Sequence, residues 1–223
     1  MIYIYLYIYM PIIDKHDLVF IHVPKCAGTS IERSLGYKGN WKKKGGDRKT
    51  WFGSSNGYEL DHSTIKYLIE NCNSYKDTYM KLAVVRNPYE RLVSEYNFCK
   101  RYGSRFIKNS NTFKEFVYEL KDRFDFVLEN EEKQHFLICH YLPQYKFTHI
   151  DNECKIDTLL RFETLQEDWN NFCSKINKEI VLLKLHQYSS GKKYNYLDYY
   201  DEELKQIVYE LYKDDFKLFN YER

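Results

Sequence analysis

The chain has 223 residues, 43% of them hydrophobic, enough for one core of ordinary size and too few for two. Its 34 basic and 32 acidic residues nearly cancel, so no whole-molecule field points to nucleic acid, and affinity for an anion has to come from local clusters. Six cysteines occur without a CxxC pair or a histidine at ligand spacing, which argues against zinc and for a site without metal.

Residues 1–13 alternate Tyr with aliphatic residues, the period of a strand. Asp14 and Lys15 end the stretch well short of the ~20 apolar residues of a spanning helix. It has neither the basic start nor the small-residue cleavage site of a signal peptide. Residues 1–15 are therefore read as an apolar N-terminal strand or tail and residues 16–223 as the domain, with membrane association through residues 1–13 as the minority alternative. The 23 tyrosines, beside many Lys and Asn, are read as compositional bias more than as an aromatic binding surface. A reducing, cytoplasmic setting is the simpler expectation. The alternative is a membrane-associated or Golgi-like lumenal one, in which Cys139 and Cys154 are candidates for a disulfide.

Leu18-Val19-Phe20-Ile21-His22-Val23 is an apolar, β-branched run that ends in Pro24, and Ser30-Ile31-Glu32-Arg33-Ser34-Leu35 behind it has helical character. The basic stretch Lys42 to Lys49 follows as a loop. Asp61-His62-Ser63-Thr64 then opens a helix over 64–69. Lys81-Leu82-Ala83-Val84-Val85 is a second buried-type strand. After it come Asn87 as N-cap, Pro88 at N1 and Glu90 at N3 of a helix whose Tyr89, Leu92, Val93 and Tyr96 form one apolar stripe. Thr158-Leu159-Leu160-Arg161-Phe162 is a third strand, and Leu204, Ile207, Val208 and Leu211 mark an amphipathic C-terminal helix. Strands alternating with helices predict a single α/β domain with a central, mainly parallel sheet flanked by helices. Such sheets bind ligands at the carboxyl ends of their strands, where the loops Pro24–Gly28 and Arg86–Pro88 both lie.

Pro24-Lys25-Cys26-Ala27-Gly28-Thr29-Ser30 joins a strand to a helix, so its N–H groups converge on an anion of phosphate type. It differs from the nucleoside triphosphatase P-loop, in which Lys stands directly before Ser or Thr. The segment from Phe20 to Ser30 resembles the 5′-phosphosulfate loop of the carbohydrate sulfotransferases, written PK-x-x-G-T-S. Ala83-Val84-Val85-Arg86-Asn87-Pro88-Tyr89-Glu90-Arg91-Leu92-Val93-Ser94 resembles the 3′-phosphate segment of the same family. The likeness continues through His62-Ser63-Thr64 and Thr158 to Leu165, and through Tyr199 to Glu203 and Asp215 to Tyr221. It departs at Cys26-Ala27, where relatives often carry Thr-Gly, and an Ala backbone is less free than Gly.

The resemblance implies a P-loop-like, nucleotide-binding sulfotransferase fold. The implied activity moves a sulfuryl group from 3′-phosphoadenosine 5′-phosphosulfate (PAPS) to a hydroxyl of a carbohydrate or other acceptor. It assigns Lys25, Cys26, Ala27, Gly28, Thr29 and Ser30 to the 5′ end of PAPS, and Arg86 and Ser94 to its 3′-phosphate. Chemistry alone asks for an in-line nucleophile and for positive charge on the leaving oxygen, which Lys25 supplies without a metal. Thr29 and Ser30 serve as helix caps in the plainer reading, and Arg86 as a salt bridge at the sheet end. Of the seven histidines, His62 is the expected base, or otherwise a helix cap beside Asp61. Structural roles are expected for His16 and His22, and His135, His140, His149 and His186 carry no positional argument. A second basic stretch, Ser189 to Lys193, reads as a lid or an ordinary turn. Two other functions remain open: a P-loop-like nucleotide or small-molecule kinase, and a non-catalytic glycan- or nucleotide-binding module.

Overall fold

The computed structural model describes residues 11–37, 54–55, 58–104, 106–131, 138–184 and 195–223, with the side chains of 54, 55, 58 and 59 excepted. Residues 1–10, the Lys42 to Lys49 stretch, His135, His186 and the Ser189 to Lys193 stretch lie outside them.

Four strands form the central sheet: β1 (Ile12–Ile13), β2 (Leu18–Ile21), β5 (Met80–Val85) and β8 (Thr158–Arg161), in the order β1-β2-β5-β8. The strands β2, β5 and β8 run parallel, with Ile21 opposite Ala83 and Val85 opposite Arg161, and β1 closes one edge antiparallel. Every residue of β2 and the last four of β5 are buried. Unbroken apolar runs of this kind suit parallel strands covered on both faces, which is why period-2 alternation is absent. The apolar N-terminal stretch joins the sheet where it is described, since Ile12 and Ile13 are at most 4% exposed.

The strand β2 ends at Ile21, before the predicted limit, where the chain turns and Val23 N donates to the Ile21 carbonyl at 3.1 Å. The helix α1 (Gly28–Ser34) begins two residues ahead of its apolar pattern. Two short antiparallel strands, β3 (Ser54–Ser55) and β4 (Tyr58–Glu59), precede α2 (Ile65–Asn71), which Thr64 caps by accepting from Tyr67 N. The helix α3 (Pro88–Tyr102) starts as its sequence dictates: the Asn87 side chain accepts from Tyr89 N and Glu90 N, and Pro88 sits at N1. A capping box of Thr112 and Glu115 opens α4 (Phe113–Asp122), and α5 (Phe124–Glu129) follows. The short helix α6 (Tyr145–Thr148) leads into the hairpin β6 (His149–Ile150) and β7 (Glu153–Cys154). Beyond β8 lie α7 (Leu165–Lys175), a 3₁₀ turn over Tyr196–Tyr199 and α8 (Glu202–Leu218), which packs on α3 and α4.

All six cysteines are free thiols, with Cys139 buried and Cys154 exposed. Among the described residues no helix is long and apolar enough to cross a membrane.

Candidate active site

The two loops that end β2 and β5 meet, as the parallel register requires. Arg86 Nη1 donates to the Lys25 carbonyl at 3.0 Å, so the second loop holds the first. Arg86 is only 6% exposed, its Nη2 pairs with Glu90 at 2.9 Å, and its guanidinium lies 3.8 Å over the Phe162 ring. Its Nε is a buried donor with no partner in the protein. The plainer reading of Arg86 as a salt bridge at the sheet end is thus present in the structure, and one nitrogen is left over.

Backbone strain marks the site. Eight non-glycine residues among those described have positive φ, and five of them are Asp or Asn, the types that tolerate this region. The other three are Lys25, Ala27 and His62. Ala27, at φ 62 and ψ 15, occupies the left-handed region where a glycine would be relaxed. The departure at Cys26-Ala27 therefore costs about 1–2 kcal/mol, which the loop retains. No side chain caps α1, and Ser30 N donates to the Ala27 carbonyl at 2.9 Å, so the N–H groups of Gly28 and Thr29 are the ones that the helix itself leaves unused.

Gly28 is demanded by contact. A Cβ there would lie 2.0 Å from Nε2 and Cδ2 of His22, so the imidazole rests on the helix start. Nδ1 of the same ring contacts the Glu32 carboxylate at 2.7 Å. One side chain thereby spans the phosphosulfate-like loop, from the strand that enters it to the helix that leaves it. Cys26 is buried and its thiol is pushed up to about 12 by that burial, so it stays protonated. It donates to Gln144 Oε1 at 3.3 Å. Its part is that of a packed donor, without thiolate chemistry.

His62 follows from a different element, the turn before α2. Its Nδ1 lies 3.0 Å from the carbonyl oxygen of His22. A carbonyl only accepts, so Nδ1 carries the hydrogen and the neutral ring keeps its lone pair on Nε2. Thr64 caps the helix, so His62 does not. The ring sits between two others, 4.3 Å from the His22 centroid and 5.1 Å from that of His140, edge-on to both. His140 Nδ1 in turn contacts Glu95 at 2.8 Å. Both carboxylates, Glu32 and Glu95, are 3% exposed.

The Lys25 ammonium lies 4.1 Å over the Phe98 ring. Burial lowers its pKa from the ordinary value, and the nearby Glu95 carboxylate works against that fall. Burial likewise pushes Glu95 up, but the His140 ring and Lys25 outweigh it and hold the carboxyl down to about 2. Glu95 is thus the ionised counter-charge shared by the lysine and the imidazole.

Helical spacing orders the remaining candidates. Glu90, Ser94 and Phe98 stand at i, i+4 and i+8 along one stripe of α3. Arg86 is bonded at one end of it and Lys25 packed on the other, and half-buried Ser94 lies between. Arg91 and Glu95 sit one position along, at i, i+4 spacing. Both are buried at 3% exposure. Arg91 donates to the carbonyls of Pro24, His140 and Leu142, and so ties the loop to the segment that carries His140.

Sequence reasoning did not single out Glu32, Glu95, Phe98 or Gln144, and it had no positional argument for His140. It expected a structural role for His22 within the strand, and the structure gives the ring packing contacts with Gly28 and Glu32 but beyond the strand end and against His62. His16 and His149 stand apart from this cluster, bonded to Lys178 and Thr148.

A family model described as the sulfotransferase family matches residues 10–222. The chain is 25% identical over 240 residues to carbohydrate sulfotransferase 11 of Rattus norvegicus, an alignment that covers 93% of this chain and 65% of the relative. Carbohydrate sulfotransferase 11 of Danio rerio is 24% identical over 240 residues, with the same coverage. Carbohydrate sulfotransferase 9 of Homo sapiens is 26% identical over 252 residues, covering 93% of this chain and 52% of the relative. The chain thus spans between half and two thirds of the length of these curated relatives. No solved structure matches it.

Proposed function

The chain belongs to the sulfotransferase family, and from that premise we propose that it transfers the sulfuryl group of PAPS to a hydroxyl of a carbohydrate acceptor. Support for a carbohydrate comes from the names of the relatives. The observation that carries the chemistry is the single cluster of a half-buried lysine, a tautomer-fixed imidazole and a strained anion loop at the ends of two parallel strands.

In this reading His62 Nε2 takes the proton of the acceptor hydroxyl as the oxygen bonds to sulfur. His22 and its carbonyl keep the ring in the accepting tautomer. Lys25 stands over the loop to neutralise the oxygen that leaves with the 5′-phosphate as its bond to sulfur breaks. The N–H groups of Gly28 and Thr29 and the hydroxyls of Thr29 and Ser30 take up phosphate oxygens at the start of α1. Nε of Arg86 and the Ser94 hydroxyl serve the 3′-phosphate, and Nη1 of Arg86 keeps Lys25 in place.

The test is a thermal-shift titration with adenosine 3′,5′-bisphosphate in EDTA, beside transfer of labelled sulfate from PAPS to a panel of desulfated glycans. The bisphosphate at a hundred times its dissociation constant is expected to stabilise the fold by about 2.7 kcal/mol. Stabilisation by ATP with magnesium, and none by the bisphosphate, would overturn the reading in favour of a kinase.

A further inference from the structure

The stripe of α3 that runs through Ser94 and Phe98 does not stop at the lysine. One turn further stands Tyr102, the last residue of the helix, with its ring centroid 5.1 Å from that of Phe98. Phe98 also packs 5.8 Å from the His140 ring, which is 5.1 Å from His62. Four rings, His62, His140, Phe98 and Tyr102, therefore form an unbroken path from the proposed base to the surface. The path changes character along its length. His140 and Phe98 are half-buried, and Tyr102 is 44% exposed.

We propose that Tyr102 is an acceptor-binding platform, on which a sugar unit adjacent to the one being sulfated lays the apolar face of its pyranose ring. This rests on the carbohydrate reading above and deepens it. A pyranose has one face of C–H groups and a rim of hydroxyls. A half-exposed aromatic ring buries the first, and its phenol tip meets the second. The exposed Arg101 guanidinium lies 5.6 Å over the Tyr102 ring, which leaves the opposite side for the sugar and places a positive charge beside it, suited to an acidic sugar. Continuity assigns the subsite. Ring-to-ring steps of 5.1, 5.8 and 5.1 Å lead from His62 to Tyr102, so an acceptor whose hydroxyl meets His62 extends along this line of rings onto Tyr102. In this proposal the platform reads a neighbour of the reacting unit and makes the enzyme prefer an oligosaccharide to a monosaccharide.

The experiment compares sulfate transfer to one glycan series of increasing length by the wild-type chain, Tyr102→Ala and Tyr102→Trp, with bisphosphate affinity measured on each preparation by calorimetry. Wild type is expected to show a KM that falls as the acceptor lengthens past the second unit. Tyr102→Ala is expected to raise the KM for the long acceptor about tenfold and to flatten the length dependence, the scale of one lost aromatic contact. Tyr102→Trp is expected to restore both, and bisphosphate affinity to be the same in all three. A Tyr102→Ala protein that keeps the wild-type length dependence overturns the platform and leaves the carbohydrate reading standing. A wild-type protein that binds the bisphosphate and sulfates no glycan of any length overturns the carbohydrate reading and the platform together.

Discussion

At the scale of single residues, the arrangement around His62 separates two roles that its sequence context left joined. A histidine after an Asp and before a helix reads equally as a base and as a cap. Thr64 takes the cap, and the carbonyl of His22 takes the ring hydrogen of His62, so the unprotonated nitrogen of the neutral ring is Nε2. His62→Ala is therefore expected to lower sulfate transfer by about 10²–10⁴-fold with bisphosphate affinity and melting temperature close to wild type. Thr64→Ala is the mirror case, with about 1 kcal/mol of stability lost and turnover little changed. Both proteins are to be assayed for turnover and for urea stability, and an inversion of the two patterns would reject the base assignment. Lys25 and Ser94 were legible from motif order alone. The partners that tune them, Glu95 and Phe98, were not, because nothing in a local pattern says which face of α3 meets which loop.

At the scale of elements, the start of α1 depends on an unusual approach. Residues 22 and 28 flank a tight loop, and the ring of one occupies the space where a side chain on the other would begin. Gly28→Ala must displace the His22 ring and with it the 2.7 Å contact to the buried Glu32 carboxylate. A buried polar group deprived of its partner costs about 1–3 kcal/mol. Gly28→Ala is accordingly expected to lose that much stability in urea denaturation and to bind the bisphosphate more weakly in calorimetry. A variant within about 0.5 kcal/mol of wild type would show that the ring has room to move. Other element boundaries were plain in the sequence where the signal is chemical. The Asn87-Pro88 start of α3 and the C-terminal helix both stand where caps and periodicity put them, whereas β2 ends early at a turn in which Val23 N donates to the Ile21 carbonyl.

At the scale of the whole molecule, one buried chain of hydrogen bonds joins the C-terminal helix to both loops. Asp215 on α8 is fully buried and accepts from the main-chain N–H groups of Gln144 and Tyr145. The Gln144 side chain accepts from Arg86 N and donates to Arg86 O, in the manner of an added strand, and also receives the Cys26 thiol. Burial raises the Asp215 carboxyl to about 6, with Arg91 and the N–H donors pulling the other way. Because the folded pKa lies above the ordinary 3.8, the folded state holds the proton more tightly than the unfolded one. The stability this contributes is complete below pH ~4 and is lost as pH rises through ~6. Asp215→Asn leaves one buried N–H without a good acceptor, at about 1–3 kcal/mol, and removes the titration. Its cost relative to wild type is thus expected to be larger at pH 4 than at pH 7. Urea denaturation at the two pH values checks this, and an equal cost at both would mean that Asp215 is ionised throughout.

By itself the sequence determined the α/β class, the order of strands and helices, the two anion loops and the family to which they point. These are matters of periodicity, capping chemistry and motif order, all local along the chain. It also put forward Lys25, His62, Arg86 and Ser94 as candidates, through the resemblance of the segments that carry them. Only the tertiary structure decided that three imidazoles from residues 22, 62 and 140 meet and that an Arg and a Glu on α3 are core residues. It also decided that Gln144, 58 residues beyond Arg86, and Asp215, 71 residues beyond Gln144, brace the loops in series. The reason is physical. A buried polar group is satisfied by whatever the fold brings beside it, and that partner is set by packing between elements that no local pattern records.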